Sequence, residues 1–121
     1  KEEDVIIKSK GNQKRTFCYI SDLIVGLFIV LLKGKNGDAY NLGNNKEFYS
    51  ISKLANVISK FTKKKNVIFK FRSKKDNYLV SPFDRVYPSI EKIKKLGFKP
   101  NINIKDGFKR TIDYYKNFKS N

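Results

Sequence analysis

The sequence predicts a small α/β fold of short strands and about four helices, and three observations carry that reading. Short β-branched and aromatic runs are bounded by Gly, Asn and Ser, as strands are. Between them lie stretches whose apolar residues recur at helical spacing behind Ser or Asn caps. A length of 121 residues supports one modest core.

Taken in order, Val5-Ile6-Ile7 forms a first strand, closed by the polar turn Lys8 to Gln13 around Gly11. Arg15 to Ile20 reads as a second strand. Ser21 then caps a helix running to about Lys33, with Asp22 at the positive end of its dipole and Gly34 as its stop. Leu23, Ile24, Val25, Leu27, Phe28 and the apolar residues through Leu32 leave that helix no polar face. It needs cover on most sides, and so short a chain has few elements to give it; a partner domain is implied.

Asp38 to Gly43 reads as a strand ending in the tight turn Gly43-Asn44-Asn45. Phe48 to Ile51 leads into a helix capped by Ser52, with Leu54, Ala55, Val57, Ile58 and Phe61 on one stripe. Asn66 to Phe71 reads as a further strand, and 72–87 as irregular with a turn at Ser81-Pro82. Ser89 caps a helix through Lys95, stopped by Leu96-Gly97 with Pro100 beyond. Asn103 caps the last helix, Asp106 approximates a capping box, and Phe108, Ile112 and Tyr115 share one face. No internal repeat or linker divides residues 1–121, which read as a single domain.

Composition removes several function classes. There is no His and one Cys, so imidazole triads, a zinc-ligand set and an internal disulfide framework are all excluded. The longest apolar run, Leu23 to Leu32, falls well short of the roughly 20 residues a bilayer span requires. The acidic opening lacks a secretory h-region, which points to a cytoplasmic protein without a membrane partner. The chain does not open on Met, so a fragment of a longer protein is expected.

The net charge is +16, from 27 basic and 11 acidic residues. Four are Arg and the rest are scattered Lys, a pattern that fits a solvated surface better than a phosphate-reading one, where Arg forks are favoured. The tight runs Lys63 to Lys65 and Lys94-Lys95 sit at a helix end or on a solvated face.

Three segments carry a family resemblance. Gly11 to Asp22 is similar to the G-x-Q-x-R-x-F-x-Y-V-x-D stretch of NAD-dependent nucleotide-sugar epimerases and dehydratases, of the extended short-chain dehydrogenase/reductase family. Ala39 to Gly43 resembles that family's following Y-N-I-G strand. Leu96 to Pro100, then Ile104 to Ile112, resembles its closing L-G-W-x-P and S-L-x-E-G-L-x-x-T-I pieces. Together they span nearly the whole chain.

The resemblance implies a C-terminal, substrate-binding portion, with a Rossmann domain that binds NAD lying upstream. No G-x-x-G-x-x-G precedes a strand–helix unit here. The partner implied is a nucleoside-diphosphate sugar, and homodimers of the whole enzyme form through helices of the other half. The family's catalytic Tyr-x-x-x-Lys also belongs to that half. Tyr49 with Lys53 and Tyr115 with Lys119 match the spacing, but this many Tyr and Lys yield roughly one such match by chance, so neither pair is taken as catalytic.

Among candidate site residues, Arg15 matches the family Arg that contacts the nucleotide diphosphate, where a guanidinium can form paired charge-assisted hydrogen bonds. Arg85 lies near the family's second phosphate-binding Arg, although Ser89 stands where an Asp is usual. Arg72 is a rival for that role. Asn41 follows a strand and either meets a ligand or stabilises the turn. Tyr19 and Asp22 read as structural, and Cys18 as a small apolar residue of the strand. The rival function is a small basic nucleic-acid-binding module with Phe or Tyr stacked on bases. No nucleic-acid motif supports it, and the aromatics sit within apolar runs.

Overall fold

The computed structural model describes residues 5–61, 67–69 and 82–118. Within them the chain is α/β, with short strands and four helices. The order is β1 (Val5–Ile7), β2 (Lys14–Thr16), α1 (Ile20–Lys33), β3 (Phe48–Ser50), α2 (Ile51–Ser59), β4 (Val67–Phe69), β5 (Arg85–Val86), α3 (Glu91–Lys94) and α4 (Ile104–Phe118).

Two small sheets result. β1 pairs in parallel with β4, Val5 opposite Val67 and Ile7 opposite Phe69. β2 is the centre of the other sheet, antiparallel to β3 and parallel to β5. Thus Arg15 stands beside Tyr49 and Val86, whereas Lys14 stands beside Ser50 and Arg85. β5 lies in sequence read as irregular. Two residues carry no pattern, and only the ladder to β2 makes them a strand.

Ile90, Ile93 and Phe98 form the centre of the core, with Cys18, Ile29, Val30, Tyr40 and Leu42 packed against it. Gly26 lets α1 approach: a Cβ there would lie 2.7 Å from Leu42 Cδ2 and 3.0 Å from Phe98 Cε2. Gly97, at φ +99°, turns the chain out of α3 in a conformation that only glycine adopts freely, as its reading as a stop requires.

Several local expectations shift. The second strand ends at Thr16, and α1 begins at Ile20 with Tyr19 as an N-cap that makes no side-chain cap bond. Asp22 is instead turned across to a distant loop, where its Oδ2 accepts from the amides of Asn101 (3.0 Å) and Ile102 (2.8 Å). Ser50, rather than Ser52, caps α2 by accepting from the Lys53 amide. Asn103 caps α4 as expected: its Oδ1 accepts from the Asp106 amide and its Nδ2 donates to the Asp106 carboxylate. Glu47 adds a bond to the Ile104 amide at the same helix start.

Residues 38–43 form no strand. An extended segment becomes a strand only by pairing, and these residues are held by side chains: Lys92 Nζ donates to the Ala39 carbonyl and Asn41 Nδ2 to that of Ser89. The Asp38 carboxylate pairs with Lys92 at 3.2 Å, and the same ammonium lies 4.6 Å from the Tyr40 ring centre.

The predicted cover for α1 is absent among the described residues. Gly26 alone of this helix is buried, while Phe28 is 57% exposed, Leu31 76% and Leu32 77%. The stripe Ile20, Ile24, Leu27, Phe28 and Leu31 follows helical spacing on one side, so an apolar face stands open to water. No described helix is long and apolar enough to cross a membrane.

Candidate functional site

β2 carries the segment that the sequence singled out, and its alternation divides that segment between two faces. Lys14, paired with Arg85, turns to a polar groove of about 480 Å³ lined by Lys10, Asn12, Gln13, Lys14, Asp84 and Arg85. Three cationic side chains face one carboxylate there, and the two amides of Asn12 and Gln13 supply both donors and acceptors. Such a lining suits an anion with polar groups attached. The groove is held open by the backbone: the Lys14 amide donates to the Asp84 carbonyl at 2.7 Å, and the turn 11–13 accepts from the amides that start α2.

Arg15 lies beside this groove rather than in its lining. Its guanidinium donates to the carbonyls of Lys14 (2.8 Å), Phe83 (3.0 Å) and Asp84 (3.4 Å), gripping the segment that leads into β5. Arg85 stands in the groove. Asn41 is tied to the Ser89 carbonyl, linking residues 38–43 to the chain between Arg85 and α3. Arg72 and the Lys63 to Lys65 run lie outside the described residues. The structure therefore brings Arg85 together with Lys14 and Lys10, which sequence reasoning passed over. The signal was present, since neighbouring strand residues point to opposite faces and Lys14 precedes Arg15.

A second, largely apolar cleft of about 220 Å³ lies where the start of α1 meets α4, lined by residues including Phe17, Cys18, Ile20, Ile104 and Phe108. Cys18 faces it with a thiol pushed up in pKa by burial and then by the nearby Asp22 carboxylate, which disfavours the reactive thiolate.

Tyr49 and Lys53 lie close, with the Lys53 ammonium 4.7 Å over the ring centre. The Tyr49 phenol is pushed up in pKa by desolvation, then by the Glu47 charge and hydrogen bond, so its environment opposes a tyrosinate. Lys119, of the other Tyr-x-x-x-Lys pair, is outside the described residues. Among the described residues no cluster of three His, Cys, Asp or Glu could hold a metal ion.

Residues 1–43 match the model of the NAD dependent epimerase/dehydratase family. A dTDP-D-glucose 4,6-dehydratase of Mus musculus is 36% identical over 115 residues, which are 93% of this chain and 32% of the mouse protein. A putative UDP-glucose 4-epimerase of Methanocaldococcus jannaschii is 32% identical, covering 97% of this chain and 36% of its own. This chain is a homologue of that epimerase/dehydratase family. The family's solved structures share the fold. A UDP-glucuronic acid 4-epimerase from Bacillus cereus, in complex with UDP-glucuronic acid and NAD, superposes with a TM-score of 0.73 at 27% identity, over 97% of this chain and 36% of that one. An epimerase from Methanothermobacter thermautotrophicus reaches 0.80 at 21% identity, which speaks to fold alone. The chain spans about a third of the length of the curated epimerases and dehydratases it matches.

NAD is the cofactor of that family. The described residues do not fit it. α1, α2 and α3, the described helices that follow strands, have Tyr19, Ser50 and Ile90 as N-caps with no glycine-rich turn before them, so none of these starts offers a dinucleotide pyrophosphate the close backbone approach it needs.

Proposed function

We infer that this chain is the nucleotide-sugar-binding portion of an NAD-dependent epimerase or dehydratase, acting in the cytoplasm. It grips the nucleoside diphosphate and lines the sugar pocket. The hydride chemistry, the cofactor and the catalytic Tyr and Lys reside in a Rossmann domain outside these residues. The observation that carries this reading is the basic groove between β2 and β5, built on the segment that matches the family and containing Arg85. Arg15 braces the carbonyls beside it, and Asn41 sets the distance to α3. Arg72 remains a candidate for a further phosphate contact.

The open face of α1 supports the same division. One feature favours a partner domain over it: the exposed apolar stripe along α1. No observation in the structure favours the nucleic-acid reading.

The test is titration of isotope-labelled chain with UDP-glucose and dTDP-glucose, followed by amide shifts. Saturable shifts concentrated at residues 10–15 and 82–86 are the expected result. Shifts of the same size from a single-stranded oligonucleotide, with none from either sugar nucleotide, would refute the reading. The chain alone is expected to show no NAD-dependent turnover of either compound.

A further inference from the structure

We propose that the C-terminal end of α4 is a peripheral docking face for an anionic lipid surface, with Tyr114, Tyr115 and Phe118 set at headgroup depth and basic side chains on either side of them. The row begins inside the fold: Ile104 and Gly107 are buried, and Phe108 and Thr111 are half-buried. Tyr114, Tyr115 and Phe118 continue it at the same three- and four-residue spacing, yet they are 60%, 61% and 70% exposed. The apolar stripe of α4 therefore runs on past the core that it helps to close. Its exposed end is ordered by its own rings, Tyr114 stacking on Phe118 at 5.6 Å between centres and meeting Tyr115 edge-on at 5.7 Å.

Charge decides what fits this face. Helical geometry puts Arg110 along one border of the stripe and Lys105 and Lys116 along the other. Asp106 and Asp113 lie on the far side, Asp113 paired with Lys109 at 2.7 Å. The whole chain carries +16, so a second copy meets like charge, whereas an anionic surface attracts both the borders and the body. The rings stand on the convex side of a helix and line neither cleft described above, so they match a plane better than a partner's projecting side chain. A tyrosine, apolar along its ring and polar at its hydroxyl, suits the boundary between headgroups and acyl chains. Strong separation of apolar and polar faces at low overall hydrophobicity, with Lys and Arg beside the aromatics, is the pattern of a helix that lies on a membrane instead of crossing it. The expectation of no membrane partner rested on the lack of a signal segment and of a spanning run, and neither bears on such a face.

The experiment is co-sedimentation of the chain with vesicles of phosphatidylcholine alone, and of phosphatidylcholine with about 30% phosphatidylserine, at about 0.15 M salt. Binding to the second and not the first is expected, but diffuse attraction to so basic a chain gives the same result, so the variants decide. Tyr114→Ala, Tyr115→Ala and Phe118→Ala together keep the net charge and are expected to weaken binding at least about tenfold, with the thermal midpoint moved by less than about 3 °C. Arg110→Gln with Lys116→Gln is expected to cost about tenfold or more. Lys95→Gln with Lys99→Gln, the same loss of charge away from α4, is expected to cost less than about threefold. Spin-labelled lipid is expected to broaden amides 112–118 first; broadening centred elsewhere overturns the proposal even where a variant fails to fold. If the triple variant binds as tightly as the parent, or if the two charge pairs lose equally, attraction is diffuse and the proposal fails. It fails also if sedimentation velocity shows a dimer that the triple variant dissolves, since a second copy then holds the face. None of these results touches the nucleotide-sugar reading, which is tested at residues 10–15 and 82–86.

Discussion

Replacing Gly26 by Ala sets two opposed effects against each other, and the structure decides which is larger. Gly26 lies mid-way along α1, where alanine is favoured over glycine by about 1 kcal/mol through helix propensity alone. Against that gain, the new methyl would lie 2.7 Å from Leu42 Cδ2 and 3.0 and 3.3 Å from two Phe98 ring carbons. The leucine methyl is the end of a flexible side chain and can turn away. The Phe98 ring cannot, being 1% exposed and wedged against Ile90 and Ile93. Overpacking costs about 1–3 kcal/mol, and a contact at 2.7 Å beside a fixed ring at 3.0 Å falls in the upper part of that range, about 2–3 kcal/mol, so the net change is a loss of about 1–2 kcal/mol. In thermal unfolding followed by circular dichroism, that loss lowers the midpoint by about 5 °C or more. Leu42→Ala made in the Gly26→Ala background is expected to recover part of the steric cost, giving a non-additive pair. A Gly26→Ala chain as stable as the parent would refute the close α1–Phe98 packing on which the core depends.

Three further outcomes follow from the same contacts. Asp22→Ala leaves the Asn101 and Ile102 amides without their acceptor and is expected to cost about 2 kcal/mol in urea unfolding. Phe28→Ser and Leu31→Ser are expected to change the stability of the chain by less than about 0.5 kcal/mol, because these side chains are exposed, yet to abolish association with a Rossmann domain added in trans, read by gel filtration. Cys18 has its pKa raised above the ordinary 9.0 by burial and by Asp22. The fold therefore favours the protonated thiol: the stability this contributes is intact below pH 9 and is lost as pH rises through the folded-state value. Alkylation of Cys18 by iodoacetamide is accordingly expected to be slow near neutral pH and to accelerate only at alkaline pH.

Much of the architecture was legible because it is written locally. The apolar period of α2, the Asn103–Asp106 box and the Gly97 stop each lie within a few residues, so α2, α3 and α4 could be read with small errors at their ends. What depended on distant pairing was not legible. Residues 38–43 have strand composition but pair with no described strand, and β5 has almost no signal yet forms because β2 accepts it. The site divides in the same way. The motif drew attention to Arg15 and Arg85, whereas the company Arg85 keeps is set by strand register, which a single sequence leaves unspecified. Asp22 looked like the head of its own helix, and nothing local announced that its carboxylate reaches Asn101.

That reach bears on the order in which the molecule can assemble. Three polar clasps join residues far apart along the backbone: Asp22 to Ile102 across 80 positions, Glu47 to Ile104 across 57, and Asn41 to Ser89 across 48. Closing such large loops consumes chain entropy before any clasp is made, so these latches form late. On a ribosome, the Asp22 carboxylate in the first turn of α1 therefore waits for residues 101 and 102 to emerge, and removing α4 would leave Glu47 without the Ile104 amide it accepts from.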